Sequence, residues 1–352
     1  MLRPFFAAAR RIAVLQRPLR AATPLALAAT LALPLLAACG GDDADITVYS
    51  GRTEQLIQPI IDRFEEESGL KVDVKYGSTS EMAALLAEEG EDSPADVFLA
   101  QDAGALGAVS DQGLLGQLPE SLLSKVEPRF RAGNGQWVGL SGRARVLVYN
   151  PDLVPESELP STVEELTDPK WKDRTGWSPP NGSFQAFVTA FRVDSGEEAT
   201  SEWLQAMKAN GVKDYPNNIT ILDAVAAGEI EVGLVNHYYL YEKLDDQGEG
   251  YKARNHFLDG DDIGALVNVA GIAVLAGSDH REDATALLEF LLAEEAQHYF
   301  AEETFEYPLA AGVAADPRLV PLTDIESPDI DLSELDDLEG TLDLLRANGV
   351  LP

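Results

Sequence analysis

The chain has 352 residues, 60 acids against 26 bases, a formal net charge of −34, 45% hydrophobic residues and one cysteine. That length suffices for two lobes with cores of their own, while the single thiol excludes an intramolecular disulfide framework. Such acidity makes nucleic acid and anionic lipid headgroups poor partners.

Arg3, Arg10, Arg11, Arg17 and Arg20 precede an apolar run from about Leu25 to Ala38, with no acid before Asp42, and Leu36-Ala37-Ala38-Cys39 closes it. This is the pattern of a secretory signal with a lipobox-like end. Residues 1–38 are expected to be a lipoprotein signal peptide, Cys39 the lipidated residue, and 39–45 a polar tether to the outer face of the cell membrane. Pro34 interrupts the apolar run, which is short for a retained span of roughly 20 residues. Arg10-Arg11 before Ile12-Ala13-Val14 matches a twin-arginine signal only loosely. Loss of residues 1–38 removes five arginines and no acid, taking the formal charge to −39.

The domain opens on a strand, Ile46-Thr47-Val48-Tyr49-Ser50. From Thr53 to Ser68, Leu56, Ile57, Ile60, Ile61 and Phe64 recur at helical spacing, Gly69 supplies a stop, and Lys71-Val72-Asp73-Val74-Lys75 alternates as a strand. Together these make one βαβ unit. Ser78 and Glu81 have capping-box spacing ahead of Met82-Ala83-Ala84-Leu85-Leu86, and Asp96-Val97-Phe98-Leu99-Ala100 reads as a buried strand. Further strands are expected at 137–149, 231–235 and 265–276. Further helices are expected at about 162–166, 184–192, 200–210, 222–227, 282–294 and 296–301. The class is α/β with mainly parallel sheets. The charge run from Asp324 to Glu339 reads first as a solvated face. No repeat or long linker divides the chain, so two lobes would exchange the polypeptide more than once.

Residues 217–242 carry the chemistry, because Tyr238 and Tyr239 stand adjacent just past the strand at 231–235. Phenolate is a hard oxygen donor suited to a hard trivalent cation, and a bound metal can displace a proton that free tyrosine holds to a pH of about 10. Consecutive side chains in a strand point to opposite faces, whereas at the opening of a helix they diverge by only about 100°. Both phenols therefore reach one ion only if the chain leaves the strand near Asn236. The alternative is that Tyr238 and Tyr241 cover a core while Tyr239 faces solvent.

Ile46-Thr47-Val48-Tyr49-Ser50-Gly51-Arg52, Ala95-Asp96-Val97-Phe98, the run from Ser141 to Asn150, the 217–242 segment and Phe305-Glu306-Tyr307-Pro308-Leu309 occur in this order. Through them the chain resembles, over nearly all of its mature length, the substrate-binding lipoproteins of bacterial ferric-iron ABC importers. The resemblance implies a two-lobed periplasmic-binding-protein-like fold of type II: two Rossmann-like α/β lobes with hinge strands and an interlobe ligand cleft. Crossings are implied near Arg143 to Tyr149 and Asn268 to Ile272. The N-terminal lobe would comprise 46–143 plus 270–318, and the C-terminal lobe 144–269 plus 319–352.

The same resemblance implies that Tyr238 and Tyr239 supply phenolates to Fe3+, with carbonate or phosphate as synergistic anion. A histidine and a glutamate used by some relatives are replaced here by Thr53 and Gln101, and a third tyrosine is missing around Asn181-Gly182-Ser183. Gln101, Asp102 and Glu54 are the remaining oxygen donors near those positions, although Asp102 and Glu54 also suit helix N-termini. Pro180-Asn181-Gly182-Ser183 could cradle the anion at a helix start, or serve as an ordinary N-cap. Asn218 and Asn236 match positions on the anion side of the cleft. Arg52 and Arg143 could add bidentate bonds, and Arg145 shares the strand face of Arg143. The implied partners are an ABC permease and its ATPase, together with the membrane through Cys39. A monomer is expected.

Other chemistries have less in their favour. His237, His256, His280 and His298 form no metal-ligand spacing, and His237 is most simply a neighbour of the tyrosine pair. The stretch from Asp259 lacks two oxygens of a calcium loop, with Ile263 fifth and Ala270 twelfth. No nucleophile elbow, P-loop or dinucleotide fingerprint occurs, so an enzyme is not expected. Two alternatives stay open: a small organic or oxyanion solute in the same cleft, and an extracytoplasmic hydrolase using Asp102, Glu54 or Asp259.

Overall fold

A computed structural model describes residues 44–259, 262–310, 312–328 and 330–352. The expected signal peptide, Cys39, most of the tether and two residues of the calcium-like stretch, 260 and 261, lie outside the described residues.

The first half follows the sequence pattern closely. β1 (Ile46–Ser50), α1 (Glu54–Ser68), β2 (Val72–Tyr76), α2 (Thr79–Glu89) and β3 (Val97–Ala100) alternate, and β1 pairs with both β2 and β3 in parallel. α1 buries the five apolar residues of its periodic face and stops at Gly69, whose φ of 74° suits glycine. The Ser78–Glu81 capping box is formed in both directions, at 3.2 and 2.8 Å. α3 (Ala103–Asp111) and the single turn α4 (Glu120–Leu123) lead to the long strand β4 (Val138–Tyr149).

Beyond β4 come β5 (Thr175–Trp177), α5 (Gly182–Ser195), α6 (Glu197–Ala209), β6 (Lys213–Asp214), α7 (Asn218–Ala227), β7 (Val232–Asn236), α8 (Tyr238–Gln247) and β8 (Arg254–His256). Then follow β9 (Val267–Val274), α9 (Arg281–Leu291), α10 (Glu294–Glu302), β10 (Tyr307–Pro308) and α11 (Leu338–Ala347). α5 and α7 begin earlier than the apolar periodicity suggests, because Asn181 and Asn217 cap their first turns. The segment expected as a helix at 162–166 is a 3-10 turn over Glu164–Thr167.

Among the described residues the strands form one sheet in the order β2-β1-β3-β9-β4-β7-β5-β6, with β8 and β10 also paired to β4. The expectation of mainly parallel pairing holds only in the flanks. At the centre β9 runs antiparallel to β3 and β4, and β7 antiparallel to β4. The physical reason is that β4 and β9 pass between the two halves of the sheet rather than belonging to one βαβ unit. β4 pairs with β9 through Ala144 and with β7 from Arg145, so the changeover falls between Ala144 and Arg145. Arg143 lies opposite Asn268 at this point.

The C-terminal segment is more built than a solvated charge run. Leu335 is fully buried, the Leu332–Leu335 turn packs on both α3 and α5, and α11 packs on α5 and α6. Gly104 permits this: a Cβ there would come within 2.2 Å of the Leu335 carbonyl oxygen.

Candidate functional site

β7 ends at Asn236 and α8 starts at Tyr238, so the chain leaves the strand where the two phenols require it. Both tyrosines are buried, 0% and 4% exposed, with ring centroids 4.1 Å apart and planes inclined by 35°. The reading in which Tyr239 faces solvent is therefore incorrect. Tyr238 Oη is buried without a protein hydrogen-bond partner. Burial pushes both phenols above their ordinary range, Tyr238 well above it; Arg52 opposes this for both, Arg143 for Tyr238, and the Asn218 amide for Tyr239. In the apo protein both are phenols at neutral pH, and only a strong cation would displace their protons.

Three arginines surround the pair, all buried rather than engaged in surface salt bridges. Arg52 gives both terminal nitrogens to Glu306, each at 2.8 Å. Burial disfavours its charge, but Glu306 outweighs that and holds it protonated. The expected bidentate grip of Arg52 on an anion is thus corrected: its fork is taken, and only Nε lacks a protein partner. Arg143 Nη2 donates to the Val269 carbonyl at 3.1 Å, while Arg145 Nη2 reaches the Leu234 carbonyl at 3.5 Å. Both leave Nε and Nη1 buried without a protein partner. Burial, followed by the like charge of Arg143, brings Arg145 down to about 9. Unsatisfied buried guanidinium N–H groups are costly, and two guanidiniums that carry them beside a phenol pair suit an anionic ligand.

The polar residues named from sequence form one connected network. Asn181 caps α5, and its Oδ1 accepts from Ser183 N at 3.1 Å, Ser183 Oγ at 2.5 Å and Asn218 Nδ2 at 3.4 Å. Asn236 Nδ2 donates to Ser183 Oγ at 3.2 Å, and Asn181 Nδ2 lies 3.5 Å from Gln101 Oε1. Gly182 lets the backbone approach closely, since a Cβ there would stand 3.0 Å from Asp102 Oδ2 and 3.2 Å from Thr79. The cradle and the N-cap are therefore the same residues, and Asn218 Oδ1 remains buried without a protein partner.

The acids sort differently. Asp102 Oδ1 accepts from Ala105 N at 2.9 Å and caps α3. Burial raises its carboxyl to about 6, against the pull of that bond and of Arg143. Glu54 is a correction: it lies exposed on the first turn of α1, whose inward face is set by Leu56 and Ile57. Asp259 is exposed as well, so the three acids of a hydrolase reading do not converge. Among the described residues no three His, Cys, Asp or Glu side chains group to hold a metal, so a cation site here depends on the tyrosines.

Two carboxylates and a histidine escaped the sequence reading as site residues. Glu306 is fully buried beneath Arg52, and Phe305 beside it takes the left-handed conformation at φ 54°. His237 accepts from Ala144 N at 3.1 Å through Nδ1 and bonds the Phe305 carbonyl at 2.9 Å through Nε2. It also stacks on Tyr307 at 4.7 Å, and burial lowers its pKa to about 4, so it is a neutral strut under the phenols. Glu242, one turn beyond the phenols, has Oε1 buried without a protein partner. Burial, then Glu306, raises its carboxyl to about 8, with Arg52 and Lys243 opposing. The helical spacing from Tyr238 was the available signal for Glu242; for Glu306 it was only the Phe305–Leu309 motif.

Comparison with known proteins converges on one group. The chain is 34% identical over 329 residues to a protein of Serratia marcescens named "Fe(3+)-binding periplasmic protein", covering 92% of this chain and 96% of the relative. The solved structure of iron-bound HitA from Pseudomonas aeruginosa is 36% identical, with a TM-score of 0.83 over 86% of this chain and 99% of that one. That of the Trichodesmium protein IdiA (FutA), in complex with iron and citrate ligands, is 31% identical, with a TM-score of 0.72 over 86% and 99%. The fold is the two-lobed one of these neighbours. A family model described as bacterial extracellular solute-binding protein matches residues 92–331, and with these relatives it establishes that the chain belongs to the bacterial extracellular solute-binding protein family.

Proposed function

We propose that this protein is the extracytoplasmic binding component of an ABC importer, taking up ferric iron through Tyr238 and Tyr239 with carbonate or phosphate as a companion anion. The observation that carries the reading is two adjacent, buried phenols set among buried arginines that keep N–H groups free of protein partners. It is supported by a relative named for Fe(3+) and a solved neighbour described as iron-bound. Two phenolates answer most of the charge of a trivalent cation. Arg143, Arg145 and the Asn181–Gly182–Ser183 turn, with Asn218 and Asn236, would hold the anion.

The lobes are assigned to 46–143 plus 270–318 and to 144–269 plus 319–352, with β4 and β9 as the hinge. Closure brings the phenols of one lobe toward Arg52, Gln101 and Asp102 of the other, and bound solute favours the closed form by its contacts to both. The role is carriage rather than catalysis. A permease and its ATPase receive the iron, lipid on Cys39 tethers a monomer to the membrane, and nucleic acid is not a partner.

A visible absorption titration of the purified protein with ferric citrate, with and without bicarbonate, tests the reading. A phenolate-to-iron charge-transfer band saturating at one iron per chain is expected. No band at any ratio would transfer the site to an organic or oxyanion solute, the reading favoured by the unpartnered nitrogens of Arg143 and Arg145 alone. Tyr238→Phe separates the two, since it weakens the iron band and iron affinity but leaves oxyanion binding largely intact.

A further inference from the structure

We infer that Glu242 is a third protein ligand to the bound cation, a carboxylate delivered by the same helix as the tyrosine pair. This inference rests on the ferric-iron reading of that site and names a residue no sequence motif singled out.

Position is the first argument. Glu242 follows Tyr238 by four residues and Tyr239 by three within α8, which places all three on neighbouring positions of one helix face. Helical side chains lean toward the N-terminus and cover the preceding turn. The carboxyl is therefore carried back toward the phenols rather than away from them. Its electrostatic neighbours agree, since it acts on Tyr239 and lies within the fields of Arg52 and Glu306.

Availability is the second. Glu306 already accepts from Arg52, Ser141 and Thr304. Asp102 caps α3, Glu54 is exposed, and position 101 offers only a neutral amide. Among the described residues, Glu242 Oε1 is the buried carboxyl oxygen without a protein hydrogen-bond partner. A fold rarely buries such an oxygen without giving it a use.

Charge is the third. Two phenolates and one carboxylate sum to three negative charges, which neutralises a trivalent cation with oxygen donors of matching hardness. Arg52 is engaged by Glu306 through both terminal nitrogens, and no hydrogen bond joins it to Glu242 among the described residues.

The test compares the unsubstituted chain with Glu242→Gln and Glu242→Asp, titrated with ferric citrate. Apo melting temperatures confirm that each variant is folded. Gln is expected to lower iron affinity by about 100-fold or more, the upper end of what an outer partner of a metal site is worth. It should also move the phenolate-to-iron band to longer wavelength, because a weaker donor leaves the iron more electron-poor. Asp, which keeps the charge but shortens the reach, is expected to fall between.

If Gln lowers affinity without moving the band while Asp behaves as the unsubstituted chain, Glu242 acts only through its field and the inference is overturned. Unchanged affinity and band in Gln overturn it as well. Absence of the band in the unsubstituted chain would instead overturn the ferric-iron reading, and this inference with it.

Discussion

Glu306→Gln removes the one carboxylate that, among the described residues, faces Arg52 at hydrogen-bond distance. Glu306 is fully buried and receives both terminal nitrogens of Arg52 at 2.8 Å, Ser141 Oγ at 3.1 Å and Thr304 Oγ1 at 3.3 Å. Arg52 is 2% exposed and lies in the field of Arg143, so water cannot take over the lost charge. Breaking such a buried pair from one side costs about 3–5 kcal/mol, because the remaining charge stays desolvated. At roughly 2–3 °C per kcal/mol for a large domain, the melting temperature of the apo protein should fall by roughly 6–15 °C.

Thermal unfolding followed by circular dichroism at neutral pH measures this, alongside Arg52→Met and the double variant Arg52→Met/Glu306→Leu. The double variant should recover most of the loss, since replacing both members by apolar groups is close to neutral. A Glu306→Gln loss below about 1 kcal/mol, the range of an exposed pair, would refute the reasoning. So would a double variant no better than the worse single one.

Four further outcomes are expected. Tyr238→Phe should leave the apo protein as stable as before or slightly more so, because the lost hydroxyl has no protein partner; a clear drop in apo melting temperature would contradict that environment. Asp102 has a native pKa near 6, above its unfolded value, so the native state binds the extra proton and its stability falls as pH rises from about 4 to 6. Asp102→Asn keeps the cap, so its advantage over the unsubstituted protein should grow to roughly 3 kcal/mol above that window and vanish near pH 4, read from urea midpoints. His237 runs the other way: its pKa near 4 lies below the unfolded value, so stability is lost as pH falls from about 6.5 to 4, and a proton resonance assigned to the His237 imidazole and titrating near 6.5 would refute the burial argument. Gly104→Ala sets a Cβ 2.2 Å from the Leu335 carbonyl oxygen and should cost about 1–3 kcal/mol, with faster proteolytic cleavage after Leu335 as the local readout.

How much of this was legible in advance depended on the range of the interactions involved. The opening βαβ unit and the Ser78–Glu81 box could be read because spacing and capping act within a few residues. α3 was missed because Ala103 to Asp111 is rich in small residues and carries little periodic contrast. α11 was missed because neighbouring acids masked the apolar face of Leu344 and Leu345. The polar network around Asn181 was named residue by residue, whereas its connections, and the exclusion of Glu54, required the lobes to be folded.

The sequence by itself determined the α/β alternation, the adjacency of two hard oxygen donors just beyond a strand, and the small polar residues able to cap a helix or receive an anion. These follow from side-chain chemistry and from periods of 2.0 and 3.6 residues. Only the tertiary structure decided the antiparallel centre of the sheet, the commitment of Arg52 to Glu306 across 254 positions, and the burial that keeps both phenols protonated. Pairing and desolvation depend on what packs around a group, and β4 and β9, passing between the two halves, bring those neighbours from opposite ends of the chain.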